Sequence, residues 1–349
     1  MTINIPEEIL QAYNFDLLQV KIAPLGAGHI NQTFKVTQGS RCCVLQRVNK
    51  YVFTKPGRIA ENIRLVADHL ERNFPSYLFL KPILSEAGHD LEFDNDNHPW
   101  RLMPFVESGV TKEALTSDQE ASEAARGFAG LTRRLSSCSL ESIKPTIDRF
   151  HDLTWRVEQF RDSLSIAEQG RLVTAAEVIE AANRFSFLAD EYKTLIDSGD
   201  LQLRITHNDT KINNILFDKI TDKALCVIDL DTLMPGYFIY DLGDLIRTCV
   251  SPVSEEETDL SKIVFRKNFY DTVVSGYLTE MGETLTKNEL NAVSFSGLMM
   301  TYIMALRFLT DYLKGDVYYS VRYDGQNLNR AKNQFKLLQL LYDEVYHGK

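Results

Sequence analysis

The chain has 349 residues, room for two lobes or one large α/β domain, and its 44% apolar and 25% charged residues suit a soluble globular protein with a sizeable core. A net charge of −10 argues against nucleic acid or anionic membrane as a partner held by bulk electrostatics, while leaving room for a local basic pocket. Five cysteines without a C-x-x-C pair and seven histidines without H-x-H or H-E-x-x-H point to reduced thiols in a cytoplasmic protein and away from a zinc site.

The opening MTINIPEEIL has no basic stretch followed by an apolar core, so no signal peptide is expected. Residues 18–24, 33–37 and 42–48 are short β-branched or apolar runs parted by Gly-containing turns, which predicts antiparallel strands. Between the first two lies PLGAGHINQTF, with Gly26 and Gly28 at i and i+2. Such a turn lets backbone N–H groups approach phosphate oxygens, although an ordinary hairpin explains it equally well. GRIAENIRLVADHLERN (57–73) places Ile59, Ile63, Val66, Ala67 and Leu70 at helical spacing. Further strands are expected at LFLKPIL and HPWRLMPFV.

After Val106 helical periodicity dominates: 118–136, 153–168, 174–197, 262–281, 287–313 and 327–346. The segment GLMMTYIMALRFLTDYL (297–313) is interrupted by Thr301, Arg307, Thr310 and Asp311 and reads as a buried helix rather than a membrane span. Two short strands, NILF and ALCVIDL, flank the turn DKITDK. The expected architecture is α+β: a small antiparallel-sheet N-terminal lobe, residues 1–106, and a large mainly helical C-terminal lobe, residues 107–349. A small ligand is expected in a cleft between such lobes.

Three further stretches carry chemistry. THNDTKINNILF (206–217) contains His207, Asp209, Lys211 and Asn214 in the order H-x-D-x-K-x-x-N. Phosphoryl transfer needs a carboxylate to orient the attacking hydroxyl, an amide oxygen for a metal and a cation for the moving group. A polar turn capped by Asn and Asp is the alternative. VIDLDT (227–232) is expected to put Asp229 and Asp231 on one side of an extended strand, where they repel unless Mg²⁺ lies between them or one pairs elsewhere. YDLGDLIR (240–247) brings Asp241 and Asp244 into a helix, where N-terminal capping accounts for them. No Walker A sequence occurs. The succession of Gly-bearing hairpin, H-x-D-x-K-x-x-N and Asp after an apolar strand is that of a protein-kinase-like nucleotide site.

At LGAGHINQTF, VLQRVN, THNDTKINNILFD, VIDLDTLMPGYFIYDLGDLIR and FLTDYLKGDVYY the chain resembles the aminoglycoside phosphotransferase and choline kinase group of small-molecule kinases, and within it the N-acetylhexosamine 1-kinase subfamily. The resemblance implies a bilobal protein-kinase-like fold, ATP with Mg²⁺ as cofactors, and phosphorylation of the anomeric hydroxyl of N-acetylglucosamine or N-acetylgalactosamine. It implies Asp209 as catalytic base with Lys211 beside it, Asn214 and Asp229 as Mg²⁺ ligands, and Gly26, Gly28, Gln46, Met103 and Phe105 at the nucleotide. His29, Lys211, Arg307 and Tyr318 or Tyr319 would meet the sugar, for Arg307 with an ion pair to Asp311 as an equal alternative. The partner is then a small sugar, with neither nucleic acid nor membrane, and the chain a monomer or weak homo-oligomer.

Two positions depart from the family. Asn208 stands where Gly is common, and Gln46, with Arg47 next to it, stands where the phosphate-pairing Lys is usual, which deprives Glu61 of an ion-pair partner. Competing readings are a kinase of the same fold acting on an amino alcohol, aminoglycoside or hydroxylated amino acid, and a non-catalytic binding protein.

Overall fold

The computed structural model describes residues 5–26 and 30–346. The expectations for Gly28 and His29 lie outside the described residues. The chain forms two compact units: residues 1–109 with 137–148 and 230–234, and the remainder.

The first unit begins with helix α1 (Glu7–Ala12) and strands β1 (Lys21–Pro24), β2 (Gln32–Gln38) and β3 (Arg41–Arg47). Helix α2 (Pro56–Asn73), β4 (Glu92–Phe93) and β5 (Pro99–Pro104) follow. The strands make one antiparallel sheet in the order β1-β2-β3-β5-β4. Strand alternation puts Phe34, Val36, Cys43, Leu45, Trp100 and Leu102 on one face, packed on Ile9, Leu10 and Tyr13 at α1. Gln38 pairs with Arg41 across a two-residue turn that needs a positive φ, supplied by Gly39 at +57°. LFLKPIL is not a strand. Only Ile83 bridges to Leu102, because Pro82 lacks the N–H that a ladder requires.

Helix α2 buries Ile59, Ile63, Val66, Ala67 and Leu70, the predicted face, and also Asn62. The Asn62 amide donates to Lys144 O (2.7 Å) and Leu233 O (2.9 Å) and accepts from Lys144 N (3.0 Å). One buried side chain therefore ties both returning segments, 137–148 and 230–234, to this unit.

The chain passes into the second unit within β6 (Gly109–Val110). There, α3 (Asp118–Arg134) starts at the Ser117 cap and α4 (Leu153–Ile166) at the Asp152 cap. A short helix α5 (Gln169–Thr174) fills the gap expected after α4, and the run expected as one helix over 174–197 divides into α6 (Ala176–Arg184) and α7 (Phe187–Asp197). Strands β7 (Arg204–Thr206), β8 (Ile215–Asp218), β9 (Ala224–Val227) and β10 (Met234–Gly236) precede α8 (Phe238–Cys249) and α9 (Lys267–Met281). Helices α10 (Lys287–Asn291), α11 (Val293–Leu313) and α12 (Gln326–Leu341) complete the unit.

Helix α11 is long and apolar enough to cross a membrane by length and composition, but 83% of its most apolar stretch is buried within the protein. Small residues allow that burial. A Cβ at Gly243 of α8 would lie 2.2 Å from Ser296 O, and one at Gly297 of α11 would lie 2.8 Å from Ile246 Cγ2. The two helices thus pack nearly backbone to backbone.

Candidate active site

The stretch after β7 is a tight, buried loop that turns on one left-handed residue. Asn208 has φ +64°, which explains why Asn stands where a Gly is usual: both tolerate this region. The Asn208 side chain closes the turn on Thr206, donating to its O (3.0 Å) and accepting from its Oγ1 (3.1 Å).

Asp241 holds the loop from below. Its carboxylate accepts the backbone N–H groups of His207 (3.0 Å) and Asn208 (2.7 Å), and its carbonyl accepts Thr210 Oγ1 (2.6 Å). This corrects the capping expectation: α8 has no side-chain cap, and Asp241 serves a different segment. Asp244 pairs with Arg247 (2.7 Å). Burial raises the Asp241 carboxyl above the usual range, with the two N–H groups working against it.

His207 spans the loop and the end of β9. Its Nε2–H donates to Ile228 O (2.9 Å), while its Nδ1 accepts the Asp209 N–H (3.2 Å), which fixes the tautomer. Ile228 N–H in turn donates to Asn214 O (2.9 Å). Ile228, the residue before Asp229, is therefore held on both sides by the loop that carries Asp209.

Strand β9 stops at Val227, Asp229 is exposed at φ +58°, and Leu230–Thr232 forms a 3₁₀ turn. The picture of Asp229 and Asp231 on one side of an extended strand is thus corrected. Asp231 pairs elsewhere, in the first unit, with Arg101 (2.5 Å) and Asn31 (2.7 Å).

Around Asp209 the electrostatics favour the carboxylate. Lys211 Nζ lies 3.3 Å from Asp209 Oδ2, and Asn214 Nδ2 donates to Asp209 O (2.8 Å) and Oδ2 (3.0 Å). Burial opposes the Asp209 charge, but Lys211, His207 and Arg247 outweigh it and the pKa falls below the ordinary value. Lys211 is pushed up, first by Asp209 and then by Asp229, so one ammonium lies within reach of both carboxylates. With its N–H groups spent on Asp209, Asn214 keeps Oδ1 as a hard oxygen. That oxygen and the exposed Asp229 carboxylate suit Mg²⁺, which takes few protein ligands and keeps water and phosphate oxygens. No group of three or more His, Cys, Asp or Glu fit for a metal occurs among the described residues.

Arg307 on α11 is not paired with Asp311, as the intrahelical alternative had it. Asp311 is consumed by the backbone N–H groups of Val317, Tyr318 and Tyr319 and by Asn327. The Arg307 guanidinium lies over Phe150 (5.0 Å), Tyr319 (5.5 Å) and Tyr318 (5.7 Å). Burial disfavours its charge, but Tyr319, Tyr318 and Asp209 raise its pKa.

In the first unit Gly26 has φ +74° and open space around it. Gln46 accepts Arg101 Nε (2.9 Å) and donates to Thr33 Oγ1 (3.2 Å). Opposite Gln46 on β5 stands Arg101, which is paired with Asp231. Glu61 is exposed. Met103 and Phe105 are half-buried, and Lys35 Nζ lies 4.1 Å from the Phe105 ring centre.

Comparison with known proteins identifies the family and the fold. Residues 21–287 match the family described as "Phosphotransferase enzyme family", APH. Among solved structures, a microcompartment-associated aminopropanol kinase is 15% identical with TM-score 0.65, over 98% of this chain and 97% of that one. Spectinomycin phosphotransferase APH(9)-Ia, in complex with ADP and spectinomycin, is 13% identical with TM-score 0.60, over 96% of each chain. Choline kinase LicA from Streptococcus pneumoniae is 17% identical with TM-score 0.56, over 95% and 96%. At these identities the likeness establishes the fold, protein-kinase-like with an antiparallel-sheet N-terminal region and a helical C-terminal region.

Proposed function

The chain belongs to the APH phosphotransferase enzyme family, and from that premise we propose that it transfers the γ-phosphoryl group of ATP to the anomeric hydroxyl of an N-acetylhexosamine. The products are ADP and the sugar 1-phosphate. The observation that carries the reading is the clamp on Ile228, which fixes Asp209 and Asp229 to one frame. Asp209 orients the acceptor O–H and takes its proton as the new O–P bond forms and the bond to the β-phosphate oxygen breaks. Asn214 Oδ1 and Asp229 would hold Mg²⁺, which when bound would supply positive charge to offset that of the phosphate oxygens. Lys211, raised in pKa and beside Asp209, faces the transferring group as a permanent cation. Gly26, Gln46, Met103 and Phe105 serve the nucleotide.

An anomeric hydroxyl is the most acidic hydroxyl of a sugar, so a carboxylate with a lowered pKa suffices as base. The acceptor side favours an oxygen-rich molecule over an amine: Lys211 and Arg307 both feel the charge of Asp209, and Asp311 is already satisfied by N–H donors. Tyr318, half exposed beside Arg307, offers a further hydroxyl.

The test is ADP release from Mg-ATP with a panel of free sugars, amino alcohols and aminoglycosides. N-acetylglucosamine or N-acetylgalactosamine should give turnover, with a product hydrolysed by mild acid as anomeric phosphates are. Turnover restricted to amines, with an acid-stable product, would replace the sugar by a cationic acceptor.

A further inference from the structure

Within the second unit a cavity of about 190 Å³ opens among Arg156, Gln159, Arg307, Thr310, Lys314 and Tyr318. Its electrostatics are unbalanced. Arg156 donates to Phe150 O (2.7 Å) and Gln159 Oε1 (2.8 Å), both uncharged acceptors. Arg307 has Met304 Sδ (3.6 Å) and aromatic faces. Neither guanidinium has a carboxylate within ion-pair distance among the described residues. Burial, and then the charge of Arg307, push Arg156 down to about 9.

The cavity's own carboxylate, Asp311, is occupied on both oxygens by backbone N–H groups, and Oδ2 also takes Asn327. Thr310 Oγ1 and Tyr319 Oη, which also line it, are buried without a hydrogen-bond partner among the described residues. Two neighbouring half-buried guanidiniums with no carboxylate in contact are costly to keep in a folded protein. Arginine forks beside free hydroxyls are also the arrangement that recognises planar or tetrahedral oxyanions.

We propose that this cavity is an oxyanion subsite, binding a carboxylate, sulfate or phosphate group of a small molecule through Arg156 and Arg307. Because Arg307 lies over Phe150, which packs on His151, and His151 donates to the carbonyl of Asn208 next to Asp209, the anion is a substituent of the acceptor, remote from the hydroxyl that is phosphorylated. The inference rests on the proposed function for the identity of the sugar, and on the cavity alone for the anion.

Two measurements test it. The first titrates sodium sulfate into the full chain by calorimetry at constant ionic strength, without nucleotide. Saturable binding is expected, with Kd rising at least about tenfold in Arg156→Gln, the scale of one lost charge-assisted hydrogen bond. Arg156→Lys, which keeps the charge and loses the fork, should fall between the two. The second compares kcat/KM for N-acetylglucosamine and its 6-sulfate. The ratio should favour the sulfated sugar in the wild type and fall to about one in Arg156→Gln.

Absence of saturable sulfate binding, or binding unchanged by Arg156→Gln in a folded protein, overturns the subsite. Sulfate binding without preference for the sulfated sugar supports the subsite and overturns the acceptor as the source of the anion. Sulfate binding lost in Arg156→Gln, with no sugar phosphorylated, upholds the subsite while the sugar reading fails.

Discussion

Asp241→Asn tests how the catalytic loop is held. The carboxylate is fully buried and accepts two consecutive backbone N–H groups, from His207 and Asn208. Asparagine keeps one acceptor and turns an NH₂ toward the other N–H. That removes one charge-assisted hydrogen bond and leaves a buried donor unsatisfied, overlapping losses of about 2–4 kcal/mol together. The substitution also relieves the desolvation that raises the Asp241 pKa, which offsets part of that loss. The net expectation is a loss of about 1–3 kcal/mol. Residues 207 and 208 immediately precede Asp209, so a shift of about 1 Å there should lower kcat by roughly 10²-fold. Urea denaturation reads the first quantity and steady-state kinetics at saturating ATP the second. Wild-type kcat, whether or not stability falls, would refute the claim that Asp241 sets the position of Asp209.

Asp209→Asn should reduce kcat by about 10²–10⁴-fold, the range for general-base assistance, while calorimetry shows ATP affinity within a few-fold of wild type. In Gly243→Ala the new Cβ meets Ser296 O at 2.2 Å, and backbone atoms cannot move aside cheaply. A loss of about 3 kcal/mol, read by thermal unfolding, is expected. His151 is buried, donates Nε2–H to Asn208 O (2.7 Å) and is pushed down to about 3, mainly by burial. The unfolded chain protonates this ring below about pH 6.5 and the folded chain does not, so stability is complete above that pH and falls as pH drops. Between pH 7 and 5.5 this group should remove about 1 kcal/mol, and His151→Gln should flatten the urea-midpoint profile there.

Much of the fold was legible because periodicity is local. β2, β3 and α2 fall within a few residues of their predicted spans, since alternating or helical apolar spacing survives whatever packs on it, while the run 287–313 divides into α10 and α11. What failed depended on partners distant in sequence. The extended geometry expected for VIDLDT ends at Val227 because Ile228 is captured by His207 and Asn214, and Asp231 by Arg101 and Asn31. Asp241 looked like a cap because its position in the helix suited one, whereas its acceptors are used by a loop more than thirty residues earlier. Arg101 and Arg156 were missed altogether. Register could have suggested Arg101, opposite Gln46, but nothing local marks Arg156 on the partly exposed helix α4.

The most direct test of the central claim is the ³¹P NMR spectrum of the product formed from Mg-ATP and N-acetylglucosamine or N-acetylgalactosamine. The account predicts a phosphorus signal coupled to the anomeric proton, and no such signal with Asp229→Asn at the same enzyme concentration. A phosphorus coupled to any other ring or C6 proton, or undiminished formation of the 1-phosphate by Asp229→Asn, would contradict it.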